Sequence, residues 1–231
     1  MSGRSPRWFT GIKYPYEPVF ANNTWAQIIE ACQLRRVPAS WAVGDQKAMT
    51  INGTDYPIDI IGFNHDDYAD GSGKAPITFQ MHDCYGTLYA LESSQTNANG
   101  WAGCKMRTTH IPAILALAPS EVQDAIREVN KLTSAGNKSS TIVTAADKGF
   151  LLSEVEIYGT ITRSATGEGQ QYSYYASGGS TVKYCGAGAR SWHSRSPATD
   201  DAALFARVGK DGGVGFGYAS NATGVAFAFC F

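Results

Sequence analysis

The segment from Trp192 to Phe231 constrains the fold of this chain more than any other. It combines residues that a fold requires with intervening residues whose identities look interchangeable. A large aromatic residue, turn glycines and alternating apolar positions are typical of short strands joined by tight turns. The first set, which we call the frame, includes Trp192, Arg195, Gly212 and Gly224. The interchangeable set comprises His193, Ser194, Thr199, Asp200, Phe216, Tyr218, Ser220, Asn221 and Thr223.

A rigid frame that displays varied side chains is typical of a binding site. Mixtures of Tyr, Ser and Asn are also common in antibody paratopes, where rigid aromatics supply contact area and small polar groups adapt. We therefore predict that the nine interchangeable residues face solvent and bind a ligand. For the frame, we interpret Trp192 as a core residue and Arg195 as a donor to loop carbonyls. A ligand-stacking Trp beside an anion-binding Arg is the alternative.

Alternation within residues 213–219 separates two kinds of side chain. Val214, Phe216 and Tyr218 fall on one face of a strand, and the intervening glycines fall on the other. If the first face is outward, it is an exposed aromatic patch of the kind that marks interaction surfaces. If it is inward, these residues belong to the core.

Several motifs in a fixed order carry a resemblance to a known family. A W-x-x-R-S-P motif starts at Trp192, F-x-x-V-x-x-D-G starts at Phe205 and G-V-x-x-x-F-C starts at Gly224. With the upstream stretches 41–45, 60–67, 101–107 and 150–154, this order resembles the C-type-lectin-like variable proteins of diversity-generating retroelements. It resembles more closely an uncharacterised domain family of phages and gut bacteria. The resemblance implies a C-type-lectin-like domain over residues 23–231, with a variable ligand-binding segment at 192–231.

Residue usage in this segment bears on the retroelement resemblance. Such systems mutate template adenines, often at Asn-type codons, which cannot become Glu, Gln, Met, Trp or Lys codons. From His193 to Phe231 there is no Glu, Gln, Met or Trp, and Lys210 is the only Lys. Glycine-rich strand regions also disfavour Glu and Gln, so both explanations stay open.

Composition excludes several classes of protein. The net charge of −1 provides no electrostatic footprint for nucleic acid, and no apolar run is long enough for membrane insertion. The start of the chain lacks an apolar signal region, so we expect synthesis in a bacterial cytoplasm without a signal peptide. The five cysteines include no C-x-x-C pair, so the spacing of the usual zinc and redox sites is missing. We predict no cofactor and no metal.

The chain reads as one loop-rich α+β domain, with short helices packed on small antiparallel sheets. Residues 1–22 are predicted to be an N-terminal arm that packs on its own domain or on a neighbouring subunit. Thr24 and Gln27 predict a capping box at the start of a helix, and Asn52-Gly53 predicts a hairpin turn. Further helices are expected near residues 101–107, 111–117 and 119–129, and strands near 41–43, 77–81, 141–144 and 150–157.

Two polar clusters are candidates for chemistry. Asn64 to Asp70 offers oxygen ligands and a histidine, but it lacks the spacing of an EF-hand loop, so we favour turn-forming carboxylates over a cation site. His82 and Cys84 fall on the same side of a strand. No residue that would orient them as a catalytic pair is evident, so we interpret both as half-buried strand residues.

We therefore expect a non-catalytic receptor-binding protein, acting in host attachment as part of a phage tail or tail fibre in the virion. A location on the bacterial cell surface is the alternative. The expected partner is a host-cell surface protein or glycan, and the expected assembly is a tail-fibre subunit or a homo-oligomer such as a trimer. Two alternatives stay open: an oxidase-like enzyme of the formylglycine-generating type, which would use Cys185 and Cys230, and a purely structural virion protein.

Overall fold

The computed structural model describes residues 16–231. The first fifteen residues of the predicted N-terminal arm lie outside the described residues. The rest of the arm packs on the domain that follows it, because the rings of Tyr16 and Phe20 lie 6.3 and 5.1 Å from the ring of Trp41. Phe20 is fully buried, so residues 16–22 share the core of the domain.

Helices in the described part are short. The first one begins as the sequence predicts, because the Gln27 amide donates to the Thr24 hydroxyl and the Thr24 amide donates to the Gln27 side chain. This capping box satisfies two amides that have no partner within the helix. The helices are α1 (Trp25–Gln33), α2 (Gly100–Gly103), α3 (Ile111–Leu115), α4 (Ser120–Ala125), α5 (Glu154–Tyr158) and α6 (Ser173–Ala176), with a 3₁₀ turn at Phe20–Asn22 and a π-helical turn at Met106–His110.

The central element is a five-stranded antiparallel sheet in the order β1-β2-β3-β12-β6. Asn52 and Gly53 form its first hairpin turn with positive φ angles of 50° and 74°, as a two-residue type I′ turn requires. The last strand of the chain lies between β3 and β6, so the two ends of the domain meet in one sheet. The strands are β1 (Gln46–Ile51), β2 (Thr54–Phe63), β3 (Ile77–Met81), β6 (Gly149–Phe150) and β12 (Ala228–Cys230).

Three smaller antiparallel sheets complete the fold. The three-stranded sheet, in the order β11-β10-β9, contains most of the segment that the sequence singles out. Its strands are β9 (Trp192–Pro197), β10 (Leu204–Val208) and β11 (Val214–Tyr218). The two hairpins pair β4 (Val129–Ser134) with β5 (Ile142–Asp147), and β7 (Lys183–Cys185) with β8 (Gly188–Arg190).

The mixed architecture agrees with the coarser part of the predicted fold class, which is short helices packed on small antiparallel sheets. Some local predictions are wrong. Residues 41–43 are not a strand but lead into a turn at residues 42–45, in which the Asp45 amide donates to the Ala42 carbonyl and the Asp45 carboxylate accepts from the Ala42 amide. Ser120 and Gln123 do not cap each other, because the Gln123 side chain donates instead to the carbonyls of Ala116 and Ala118.

The boundary after α4 also differs from the prediction. Val129 continues the apolar pattern of the helix in sequence, but it begins β4, where its partner is Asp147. Residues 150–157 divide between β6 and α5 rather than forming one extended segment. At Val129 pairing with a distant strand overrides the local pattern, whereas α5 begins at a local capping box between Ser153 and Glu156. No helix among the described residues has both the length and the apolar character needed to cross a bilayer.

Candidate functional site

Arg195 acts as a buried structural tie, as the frame interpretation predicts. Its guanidinium is fully buried and donates to the carbonyls of Leu132, Leu151 and Glu168. It also forms a bidentate ion pair with the Glu156 carboxylate. Burial raises the pKa of Glu156, but the nearby Arg195 and Lys131 charges outweigh burial and hold that pKa below its usual range. Arg195 therefore joins four chain segments and has no free donor face toward solvent.

A second buried cation lies beside this pair. The Lys131 ammonium lies 2.6 Å from Asp66, 2.8 Å from Glu156 and 3.1 Å from the Tyr172 hydroxyl. Burial raises the pKa of Asp66, yet Lys131 and the Thr78 hydroxyl bring it down to about 2. The complete set of three acceptors satisfies the three donors of the ammonium.

Among residues 16–231, the only group of side chains that could hold a metal ion belongs to this same cluster. Ligand atoms of His65, Asp66 and Glu156 lie within 4.8 Å of one another. The Lys131 ammonium lies between the two carboxylates, where a cation would have to bind. The other loop carboxylates pair elsewhere, Asp67 with Lys74 and Asp70 with Arg127. These contacts favour the turn interpretation of residues 64–70 over a cation site.

The remaining frame residues have clear steric roles. The Trp192 indole is fully buried and donates to the Thr181 carbonyl at 2.9 Å. Gly212 has a φ of +84°, and a β-carbon there would lie 2.5 Å from the Thr181 hydroxyl oxygen. A β-carbon at Gly224 would lie 2.3 Å from the Cys84 sulfur. Only glycine fits at either position without displacing its neighbour.

The prediction that His193 and Ser194 face solvent is wrong, since both are buried. All six residues of β9 are buried, because other elements cover both faces of this strand, and alternation therefore leaves no outward side. The His193 Nε2 lies 2.8 Å from the Tyr89 carbonyl, and the backbone of Asn221 also hydrogen-bonds the ring. Burial lowers the pKa of His193 to about 4, so the ring is neutral at physiological pH. His193 thus anchors the segments around Tyr89 and Asn221, and the Ser194 hydroxyl accepts from the Ser196 amide within the same strand.

By contrast, Val214, Phe216 and Tyr218 form the outward face of β11. Val214 is 43% exposed, Tyr218 is 46% exposed and Phe216 is partly exposed. We call these three residues the outer face of β11. β11 is the edge strand of its sheet, so one of its hydrogen-bonding edges has no neighbouring strand among the described residues.

Arg163, which the sequence analysis does not single out, connects the outer face to two other predicted residues. Its guanidinium carbon lies 4.8 Å from the centroid of the Phe216 ring. Its Nε lies 2.9 and 2.8 Å from the two carboxylate oxygens of Asp200. Its carbonyl accepts from the amide and the hydroxyl of Thr199. Phe216, Thr199 and Asp200 therefore form one continuous surface around Arg163.

The three remaining predicted residues lie beyond the end of β11. Ser220 is partly exposed and Asn221 is exposed, and the Asn221 amide closes a turn by donating to the Tyr218 carbonyl. Thr223 is partly exposed and exchanges two backbone hydrogen bonds with Tyr89. Its hydroxyl oxygen, however, is buried without a partner among the described residues.

The cysteines do not pair as the oxidase alternative requires. Cys230 is buried against Thr78 and Asp66, with sulfur–oxygen distances of 3.6 and 3.8 Å. Cys185 instead hydrogen-bonds with Cys84 beneath Gly224. No local sequence pattern indicates this pair, because about a hundred residues separate its members. His82 does not contact Cys84 as a catalytic partner would, since its Nδ1 bonds the Asp59 carboxylate at 2.8 Å.

A cleft of about 500 Å³ lies between α3 and the β5–β6 segment. Arg107, Ile111 and Gln123 are among its lining residues, and none of the nine predicted binding residues lines it. A second cleft, of about 380 Å³, is lined by Thr223 and by three cationic side chains. The predicted binding residues thus separate into a buried pair, an outer face and the wall of a cleft.

Comparison with known proteins identifies one family. The model of the family described as "Domain of unknown function (DUF6273)" matches residues 82–231, well over half of the chain. The chain belongs to the DUF6273 family. The matched region contains β9, β10, β11 and β12 and all the predicted binding residues. No curated protein matches the chain. No solved structure matches it either.

Proposed function

We propose that this DUF6273 protein is a non-catalytic binding module that recognises its partner through the outer face of β11 and the surface around Arg163. The observation that carries the proposal is the exposure of Val214, Phe216 and Tyr218 together on one side of an edge strand. A contiguous apolar and aromatic patch on a rigid strand is characteristic of an interaction surface. Aromatic residues in such patches often supply most of the binding energy.

The structure beneath this surface supports preorganised recognition. β11 pairs with all five residues of β10, and β10 pairs with the buried strand β9. Arg195 then ties β9 to three other segments through carbonyl hydrogen bonds. A surface held in this way loses little conformational freedom when a partner binds, and this improves affinity.

Charge and polarity vary around the patch. Arg163 and Asp200 form a partly exposed ion pair beside Phe216, and Asn221 adds an exposed amide. An apolar centre with a polar rim is the usual organisation of a protein interface. The side chains of this rim can change without disturbing the core, which suits a surface that must match different partners.

The resemblance to retroelement variable proteins supports a more specific proposal. In this proposal the domain has a C-type-lectin-like fold and mediates host attachment from a phage tail fibre, or display from a bacterial surface, with a surface protein or glycan as partner. Several copies in one assembly, such as a trimer, would strengthen attachment through avidity. A near-copy of the coding sequence for residues 192–231, differing at adenines and adjacent to a reverse transcriptase gene, would support this proposal, and its absence would remove the claim of hypervariability.

Binding of fluorescently labelled protein to a panel of gut bacterial cells tests the function. The variant F216A/Y218A should fold normally, because neither side chain is fully buried, and should lose binding to every strain that the native protein labels. Tyr184→Ala is the matched control, since Tyr184 is 48% exposed on a different sheet. Normal binding by F216A/Y218A, or equal loss in both variants, would contradict the proposal. Unfolding of F216A/Y218A would assign these side chains to the core and would contradict it equally.

A further inference from the structure

The cleft of about 380 Å³ opens next to the β7–β8 hairpin, beside the end of β10. Its walls include Arg190, Arg207, Lys210 and Thr223, with Leu88 as an apolar wall. Among residues 16–231, no acidic side chain lines it. We call this feature the cationic cleft. It concentrates three positive charges in a chain whose net charge is −1.

The three cations of the cleft have no partners within the described part of the chain. The side chains of Arg190, Arg207 and Lys210 make no hydrogen bond or ion pair with other described residues, although the backbones of both arginines pair within their sheets. Arg107 and Arg127, in contrast, each pair with an aspartate. Unpaired cations that converge on one concave surface attract anions, because each lacks a competing carboxylate.

Arg207 is held in place by the glycine side of β11. It lies opposite Gly215 in the strand register. A β-carbon at Gly217 would lie 3.0 Å from the Arg207 Nη1, and one at Gly215 would lie 3.7 Å from its Nε. The guanidinium therefore extends along the space that these glycines leave open. The glycine alternation that exposes Phe216 and Tyr218 on one face positions Arg207 on the other.

The neighbours of Arg207 leave its charge uncompensated. His193 lies opposite it on β9 and is neutral, since burial lowers the His193 pKa to about 4. The nearby Asp211 carboxylate is engaged in the β10–β11 turn, where it accepts from the Gly213 amide at 3.2 Å. Asp83 accepts from the Tyr184 amide at 2.8 Å. Neither carboxylate bonds to a cation of the cleft.

Thr223 forms a fixed part of the wall of the same cleft. Its backbone is anchored by hydrogen bonds of 3.0 and 3.2 Å to Tyr89. Its hydroxyl oxygen is buried and has no partner among the described residues. The residue therefore lines the cleft with a fixed backbone, while its hydroxyl oxygen lies beneath the surface.

We propose that the cationic cleft binds a sugar that carries a carboxylate or a phosphate, with Arg207 as the main contact to the anionic group. This inference rests on the proposed binding function and names the chemical class of its ligand. The planar guanidinium matches both anions through paired hydrogen bonds. The volume lies at the low end for ligand sites and suits a single sugar ring. The polar lining at Ser191 and the apolar wall at Leu88 complement the hydroxyls and the C–H face of such a ring.

Titration of ¹⁵N-labelled protein with four probes tests the inference: glucuronate, glucose 6-phosphate, glucose and N-acetylglutamate amide. Glucuronate or glucose 6-phosphate, or both, should shift the amide signals of residues 188–191 and 207–223 with a Kd of about 1 mM. The acidic sugar that binds more tightly shows whether the cleft prefers a carboxylate or a phosphate. Glucose should not bind, N-acetylglutamate amide should bind at least about tenfold more weakly, and added salt should weaken binding of the acidic sugars.

Variants locate the binding in the cleft. Arg207→Gln should weaken binding about tenfold or more, and Arg190→Ala and Lys210→Ala should weaken it by smaller factors. Both Arg190 and Lys210 are exposed, so their removal leaves the fold intact. Lys148→Ala is the matched control, because Lys148 is an exposed lysine that lines a different cleft. It should bind the acidic sugars like the native protein.

Failure of all four probes to bind, equal binding of glucose, or unchanged affinity in the Arg207 and Arg190 variants would overturn the inference. Binding of N-acetylglutamate amide as tight as that of the acidic sugars would also overturn it, and would indicate an acidic peptide instead. These outcomes can be separated from failure of the proposed function. Cell binding that depends on Phe216 and Tyr218, without any binding of the probes, would leave the function standing and remove only this ligand class.

Discussion

The guanidinium of Arg163 covers the ring of Phe216 at 4.8 Å while its Nε contacts both carboxylate oxygens of Asp200. Arg163 thereby holds Asp200, which precedes β10, and Phe216 of β11 in one surface. The pairing orients an aromatic ring and a carboxylate toward the same side of the domain. Several consequences of this arrangement, and of the core beneath it, can be measured.

Arg163→Ala should weaken partner binding and leave the melting temperature nearly unchanged. The ion pair is partly exposed, so solvent screens it and its contribution to stability is small. Without Arg163, however, the Asp200 carboxylate and the Phe216 ring lose the contact that orients them. Cell binding and thermal unfolding should be measured on the same preparations. A large fall in melting temperature would show that Arg163 serves the fold instead.

Gly224→Ala should destabilise the protein by about 1–3 kcal/mol. The new methyl group would lie 2.3 Å from the Cys84 sulfur, in a region with no free space. The double variant G224A/C84A should recover part of the loss, because removal of the sulfur makes room for the methyl group. Gly188→Ala is the control, since a β-carbon there meets no atom within 4 Å. The check is urea unfolding of the native protein, these three variants and the single variant Cys84→Ala, and strictly additive losses in the double variant would exclude the steric explanation.

The buried His193 should make stability depend on pH in a defined window. Its pKa is about 4 in the folded protein and near the ordinary value of 6.5 when unfolded. Because the folded value is the lower one, the unfolded chain binds the proton more readily below pH 6.5. The stabilising contribution of the neutral ring is therefore complete above pH 6.5 and is lost as the pH falls toward 4.

Comparison with His193→Gln isolates this effect from the other titrating groups. The free energy of unfolding of native protein minus that of the variant should shrink by on the order of 3 kcal/mol between pH 7 and pH 4. His82 titrates in the opposite sense, since its hydrogen bond to Asp59 raises its pKa, but it is present in both proteins and cancels. A difference that does not change with pH would mean that His193 is not held neutral by burial.

Mild oxidation of the native protein should join Cys84 to Cys185 before any other thiol reacts. Cys185 is partly exposed, and a hydrogen bond from the Cys84 thiol lowers its pKa, as expected for a reactive thiol beside a resolving one. The Cys185 thiolate attacks oxidised glutathione and releases one glutathione, and Cys84 then displaces the second. Burial raises the pKa of Cys32 and of Cys104 to about 12, so both should stay reduced.

Peptide mapping by mass spectrometry and thiol counting measure the outcome of this oxidation. The count should fall from five free thiols by the two that form the disulfide. The same treatment of Cys185→Ser should leave no intramolecular disulfide. A bridge that includes Cys230, or no bridge at all, would contradict the assigned pair.

Much of the fold follows from local signals in the sequence. The capping box at Thr24, the Asn52-Gly53 hairpin and the short strands after Arg190 each depend on neighbouring residues. The sequence also assigns Gly212 and Gly224 to the frame, and both positions have a steric need for glycine. Local signals fail where a distant partner decides, as at Val129, whose apolar pattern continues that of a helix although its strand pairs with β5.

The candidate site was predictable only in part for the same reason. Alternation separates Phe216 and Tyr218 from the glycines correctly, but it cannot show that both faces of β9 are covered, so His193 and Ser194 were assigned to the surface. Arg163 carries no local signal, since its contacts come from segments more than thirty residues away. Arg207 could have been found, because a glycine alternation on one strand leaves room for a long side chain on the strand beside it.

Saturation mutagenesis of residues 192–223, scored separately for folded abundance and for binding to cells, tests the account most directly. We predict that substitutions at Phe216, Tyr218 and Asp200 reduce binding while abundance stays normal. Substitutions at His193 and Ser194 should reduce abundance and binding together. The opposite pattern, with binding lost selectively at the buried positions and unaffected at the outer face of β11, would contradict the claim that this face meets the partner.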